Sequence, residues 1–175
     1  MEKLFVTFFG AGLLKPAPGT WGSIAGAIIG LFVLIFAGEM TLFLMSILLF
    51  LISIKIVEKY EKMTSSHDNS EIVIDEIVGV WISMSIAASV NTVFNLNLPQ
   101  IFGFNAISWL AIVLSVVFFR IFDILKPSII GRIDREVKGA LGVMLDDVIA
   151  GFFGGIAVLL VFGILAKLNL THIVF

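Results

Sequence analysis

Apolar and polar residues are segregated in long blocks along this chain. Uncharged runs cover 16–38, 40–54, 77–119 and 148–166, and nearly all charge lies in the segments between them. A helix needs about 20 mostly apolar residues to cross a bilayer. The run 77–119 is long enough for two such helices, and its centre, Asn91 to Gln100, holds three Asn and a Pro that disfavour continuous helix. The first two runs meet at Gly38-Glu39, a short connection. The pattern predicts five spanning helices, over about 22–38, 41–57, 74–91, 100–121 and 147–167. The expected fold is an all-α integral membrane bundle, a single domain over 1–175. Short helices or loops lie at the membrane surface on one side.

Composition strengthens this picture. Mean hydropathy is +1.13 and only 14% of residues are charged, against about 25% in soluble domains. Lys3, Lys15, Lys55, Lys59, Lys62, Arg120, Lys126, Arg132, Arg135 and Lys138 fall on the side of the N-terminus, and only Lys167 falls on the other. The positive-inside rule then places the N-terminus in the cytoplasm and the C-terminus outside. Met1–Gly10 is too short for a signal peptide and lacks a cleavage pattern. The absence of Cys excludes thiolate nucleophiles, disulfides and Cys-ligated zinc. A net charge of −2 argues against a nucleic-acid partner.

Twelve of the thirteen carboxylates fall on that same side, which the positive-inside rule does not explain. Nearly everything reactive on that side lies in three polar segments. The first, 10–23, is Gly-rich and contains Pro18-Gly19, a turn pair, with Thr20 or Ser23 as helix N-cap. Backbone N–H groups at such a helix start suit a phosphate; the same residues also simply let a helix begin abruptly. The second segment runs from His67 to Glu76. Asp68 with Glu71, or Ser70, can cap the third helix. Asp75 and Glu76 sit at membrane depth, where a carboxylate pair is costly unless paired, protonated or bound to a cation.

The third segment is the richest. Arg120 and Asp123 share a helix face, Pro127 ends or kinks that helix, Asp134, Arg135 and Lys138 follow, and Asp146-Asp147 open the last helix as Asp75-Glu76 open the third. Asp75, Glu76, Asp123, Asp134, Asp146 and Asp147 together offer the all-oxygen ligand set that Mg²⁺ prefers. The bases around Arg120 and Lys126 suit an anionic substrate, most simply a phosphate ester. His67 and His172 read as solvated, the Phe residues as packing, and Trp21 and Trp81 as an interface belt. Gly22, Ala25, Gly26 and Gly30 form a small-residue stripe for helix packing. A small cation or phosphate transporter is the rival class, although its polar groups would lie near the bilayer midplane.

Four blocks, Ala17-Pro-Gly-Thr-Trp-Gly-Ser23, Ile72-Val-Ile-Asp-Glu-Ile-Val-Gly79, Phe119-Arg-Ile-Phe-Asp-Ile-Leu-Lys-Pro127 and Gly139-Ala-Leu-Gly-Val-Met-Leu-Asp-Asp-Val-Ile-Ala-Gly151, resemble in content and order the phosphatidylglycerophosphatase A family of bacterial membrane lipid phosphatases. The resemblance implies Mg²⁺-dependent hydrolysis, with one or two ions, of phosphatidylglycerophosphate to phosphatidylglycerol at the cytoplasmic membrane. By this reading Asp75, Glu76, Asp123 and Asp147 are catalytic, and these four with Asp134 and Asp146 hold the metal. Gly19, Thr20, Ser23, Arg120, Lys126, Arg135 and Lys138 attend the substrate phosphate. The partner is then a membrane lipid, with oligomeric state left open. Two departures, Lys126-Pro-Ser-Ile-Ile130 without a second Pro and Gly139-Ala140 in place of Gly-Gly, touch backbone shape rather than ligands.

Overall fold

A computed structural model of the chain describes residues 1–64, 69–94 and 106–168. Among these residues all regular structure is helical: α1 (Glu2–Val6), a 3₁₀ turn (Ala11–Leu13), α2 (Pro18–Thr64), α3 (Ile74–Ala88), α4 (Val90–Phe94), α5 (Ala106–Leu125), α6 (Ile129–Glu136) and α7 (Ala140–Lys167). Three stretches are long and apolar enough to cross a membrane: α2, Ile74–Phe94 and α7.

The 47 residues of α2 would make a rod of about 70 Å, more than twice the ~30 Å hydrocarbon core. Gly38 divides it, with φ 81° and ψ 172° inside the helix. That conformation is open to Gly and strained for residues with a Cβ. The second half returns to the end where the first began, and both meet the segment that leads into α3. From the second half, Tyr60 donates to Glu71 at 3.2 Å. From the first, a Cβ on Gly22 would lie 2.6 Å from Val73 Cβ. Lys59 also pairs with Glu2 of α1. The hairpin expected at Gly38-Glu39 is therefore present.

Several expected boundaries move. Pro18, favoured in the first helical turn, opens α2, so Thr20 and Ser23 lie inside it and cap nothing. The residue preceding α3 is Val73, without a side-chain cap. Ser70 does not cap α3, and Asn69 Oδ1 accepts the Glu71 N–H. α7 begins at Ala140, because Gly139 takes φ +78° and the apolar residues after it continue as helix. Asp146 and Asp147 thus lie nearly two turns inside α7 instead of opening it. Asn91 is helical within α4. His67, Asp68 and His172, and the expected helix start near 100, lie outside the described residues.

The centre of the bundle is α3, of whose 15 residues 12 are buried, so neighbours surround it on every side. The first half of α2 packs on it through the predicted small-residue stripe: Gly22, Gly26 and Gly30 lie against Val73, Ile77 and Trp81. Trp81 is consequently core, not interface belt, and its indole N–H donates to the Gly26 carbonyl at 2.8 Å. Trp21 stays exposed. On the opposite side α7 crosses α3 backbone to backbone: a Cβ on Gly151 would meet the Gly79 carbonyl oxygen at 2.4 Å. Small residues let helices in lipid approach this closely.

Candidate active site

The start of α2, the start of α3, the end of α5 and the early turns of α7 converge on one cavity of about 290 Å³. Gly19 and Thr20 line it from α2, Asp75 and Glu76 from α3, Arg120 and Asp123 from α5. Lys126, Asp134, Asp146 and Asp147 complete its polar wall, and Asn69 and Ser70 add two uncharged groups. Six carboxylates thus face two cations.

Each cation bridges two acids. Arg120 Nη1 lies 3.0 Å from Glu76 Oε2 and 2.7 Å from Asp123 Oδ2, which realises the predicted face shared by Arg120 and Asp123. Lys126 Nζ binds Asp134 and, at 2.7 Å, Asp146 Oδ2. Burial alone would lower the Lys126 pKa, but the hydrogen bonds it donates to its two carboxylates outweigh that and raise it above the ordinary lysine range. Both bases are held in place before any substrate arrives.

Glu76 has a further restraint. Ser23 Oγ lies 2.9 Å from both Glu76 Oε2 and the Gly19 carbonyl oxygen. A Cβ on Gly19 would come within 1.9 Å of Glu76 Oε1, so a larger residue there would have to displace this carboxylate from α2.

Asp75 and Asp147 are different. Asp75 Oδ1 accepts the Glu76 N–H at 2.9 Å, and neither residue forms an ion pair among the described residues. Both are nearly buried, at 9% and 4% exposure. Each stands one helical turn before a glycine of the α3–α7 crossing, Gly79 and Gly151. The main-chain contact therefore sets how these two acids face one another.

Lys126 reaches the cavity from an unusual turn. It has φ +43° and Ser128 has φ +46°, on either side of Pro127. Non-glycine residues in this region cost about 1–3 kcal/mol each and persist where surrounding contacts over-determine them. Here the Lys126 N–H is held by the Phe122 carbonyl at 2.9 Å and the ammonium by two acids. α6 closes on the turn through Gly131, where a Cβ would lie 2.5 Å from the Lys126 carbonyl oxygen.

Of the phosphate-attending residues expected from sequence, Gly19, Thr20, Arg120 and Lys126 line the cavity. Ser23 is buried behind it on Glu76, and Arg135 and Lys138 are exposed outside it, as is Arg132. All six expected metal-holding acids line it. Among the described residues no group of three or more is already arranged as a metal shell. The chemistry still fits a hard cation. The donors are all oxygen, and the acids outnumber the two bases. Asp146 Oδ1 is buried without any hydrogen-bond partner, a cost that a cation or a proton removes. The glycine pair Gly79 and Gly151 is the part of the site that the sequence reading misses. Its signal is present nonetheless: Asp75 and Asp147 are each followed four residues later by glycine.

A family model described as phosphatidylglycerophosphatase A matches residues 4–162, which include every residue lining the cavity. Over 161 residues the chain is 36% identical to the phosphatidylglycerophosphatase A of Haemophilus influenzae, covering 92% of this chain and 86% of that one. Over 148 residues it is 34% identical to the phosphatidylglycerophosphatase A of Escherichia coli, covering 85% and 76%. No solved structure matches it. With a match of this extent enclosing a complete polar cavity, the chain belongs to the phosphatidylglycerophosphatase A family.

Proposed function

We propose that the protein removes the terminal phosphate of phosphatidylglycerophosphate, yielding phosphatidylglycerol and inorganic phosphate, with Mg²⁺ held among its carboxylates. The observation that carries this reading is the cavity itself: six acids and two fixed bases at one end of helices that are otherwise apolar. The diacyl tails stay in lipid while the phosphate reaches the polar layer. A transporter would need charged groups deeper in the bundle, and the uncharged runs 77–119 and 148–166 supply none there.

Asp75 and Asp147, which pair with no cation among the described residues, and Asp146, whose Oδ1 has no partner, are the first acids to offer oxygen to a cation, and Glu76, Asp123 and Asp134 complete the set. When bound, Mg²⁺ offsets the excess negative charge and polarises the phosphoryl oxygens. Arg120, Lys126 and the backbone at Gly19 and Thr20 at the positive end of α2 orient the phosphate. An unpaired acid, Asp75 or Asp147, accepts a proton from the attacking water. A bond forms between water oxygen and phosphorus, the bond from phosphorus to the glycerol oxygen breaks, and that oxygen leaves on the lipid as a hydroxyl, taking up the proton the acid accepted.

The cavity end also carries Lys55, Lys59 and Lys62, so it faces the cytoplasm by the positive-inside rule. Since the chain has no Cys, a single Lys15→Cys substitution reports the side: labelling by an impermeant maleimide only after the membrane is opened fits, and labelling of intact cells rejects it. The activity is tested by phosphate release from phosphatidylglycerophosphate and from phosphatidic acid, with and without Mg²⁺. Release from the former that stops on chelation is expected. Absence of release, or release indifferent to chelation, removes the reading or its metal.

A further inference from the structure

The polar cavity does not end at Arg120. The same residue borders an open apolar hollow of about 430 Å³ along α5, with Val116, Val117, Ile121 and Ile124. Val116 and Val117 in turn line a third, of about 330 Å³, between α5 and the first half of α2. Shared lining residues set the three in series: Arg120 is common to the polar cavity and the hollow, Val116 and Val117 to the hollow and the third. An arginine suits that place, with its aliphatic stem along the groove and its guanidinium in the polar layer.

The walls are regular. On α5 the groove follows Trp109, Val113, Val117 and Arg120, one face of a helix. On α2 it follows Ile24, Ile28 and Leu31, beginning just beyond Gly19 and Thr20 of the polar cavity. Both helices therefore descend from phosphate-attending residues into an apolar slot. From Trp109 to Arg120 the slot is about 17 Å long at 1.5 Å per residue. Half of the hydrocarbon core, one leaflet, is about 15 Å. The slot has the depth of one acyl chain hanging from a phosphate at Arg120.

We propose that this groove between α2 and α5 seats an acyl chain of the substrate lipid and selects tailed phosphomonoesters over free ones. The proposal rests on the lipid phosphatase reading above. Its occupant is fixed by continuity: a molecule with its phosphate at Arg120 and its tail along Val117 and Ile28 must be a lipid phosphate of the adjacent leaflet.

The test compares phosphate release from dipalmitoyl phosphatidylglycerophosphate and from its water-soluble headgroup lacking tails, using the full-length protein in detergent. Val117→Trp fills the slot, and Ile28→Phe does so more gently should the former fold poorly. Leu160→Trp on α7, exposed and outside the slot lining, is the control. Either slot variant should narrow the preference for the tailed substrate by about tenfold through KM, the scale on which hydrophobic slots discriminate, while Leu160→Trp keeps the parent ratio. An unchanged ratio in a folded slot variant overturns the proposal. A second readout needs no turnover: a benzophenone amino acid in place of Val117 should capture radiolabelled tailed lipid phosphate, competed by unlabelled lipid phosphate and not by phosphatidylcholine. Equal competition by phosphatidylcholine overturns the groove even if the enzyme is active. Selective capture without phosphate release rejects the hydrolase reading instead and leaves the groove standing.

Discussion

The two acidic pairs of the cavity, Asp75-Glu76 on α3 and Asp146-Asp147 on α7, look alike in sequence and behave alike in division of labour. Successive residues on a helix point about 100° apart, so each pair sends its members to different neighbours. Glu76 goes to Arg120 and Ser23, and Asp146 to Lys126. Among the described residues Asp75 and Asp147 are left without cations, at the α3–α7 crossing. One member of each pair holds the frame and the other is kept available. The pairs differ in their supports. Glu76 is wedged by Gly19 and a rigid guanidinium, whereas Asp146 relies on one flexible lysine in a strained turn.

The sharpest break of this comparison is to neutralise the free members. Asp75→Asn or Asp147→Asn should lower phosphate release by about 10²–10⁴-fold, the range for loss of a positioned acid or base. The metal-free variants should melt no lower than the parent, because a buried acid with no cation partner is replaced by a neutral amide of the same shape. Full activity in either variant would end its assignment. The clamped members should respond oppositely. Arg120→Ala strands Glu76 and Asp123 and should destabilise by about 3–5 kcal/mol, as breaking a buried pair does, in addition to losing activity. A melting curve on the purified protein reads this, and Arg120→Lys should recover part of the stability but little of the two-acid geometry.

Much of this site is legible in the amino-acid order alone. The acids stand out because α3 is otherwise uncharged and α7 carries only Lys167 besides, in its last turn, and Arg120 and Asp123 because three-residue spacing on a helix is a local rule. The parts that are not legible are tertiary. That Ser23 serves Glu76 and not a phosphate depends on α2 lying against α3. That Arg135 and Lys138 turn to solvent depends on the path of α6. Charge is a poor guide to where the helix containing Asp146 begins, because its start is set by the backbone of Gly139. Residue type alone sends Trp81 to the interface, although Gly30 leaves room for its indole in the core and the Gly26 carbonyl accepts its N–H.

A smaller intervention tests whether main-chain contact positions the free acids. Gly151→Ala should push α7 from α3 and cost about 1–3 kcal/mol of stability, as overpacking does. It should reduce activity more than an alanine at Gly163, where a Cβ would meet only ordinary contacts of 3.4 Å or more. Equal effects of the two would separate the crossing from the chemistry.

The mildest effect concerns the N-terminal clamp. The hydrogen bond from Lys3 holds the Glu71 carboxyl below its usual range, with Tyr60 adding to it against the opposing effect of burial. A depressed carboxyl stabilises the fold above its unfolded pKa of about 4.3, and that contribution is lost as pH falls through the lower, folded value. Amide exchange of residues 2–6 should therefore quicken only in strongly acidic solution. Lys3→Met should bring the same loosening at neutral pH, with little change in the melting temperature because so exposed a pair is screened by solvent.

The contact of Gly79 with Gly151 has a consequence for how such a protein tolerates change. Side chains around the crossing can drift in identity without moving the two acids, since their separation is written in the main chain. Length cannot drift in the same way. One residue inserted between Asp75 and Gly79, or between Asp147 and Gly151, would swing the acid by about 100° around its helix and lift it by about 1.5 Å. The four-residue interval from acid to glycine is thus a ruler, and a single-codon insertion there should silence the enzyme where many substitutions nearby would pass.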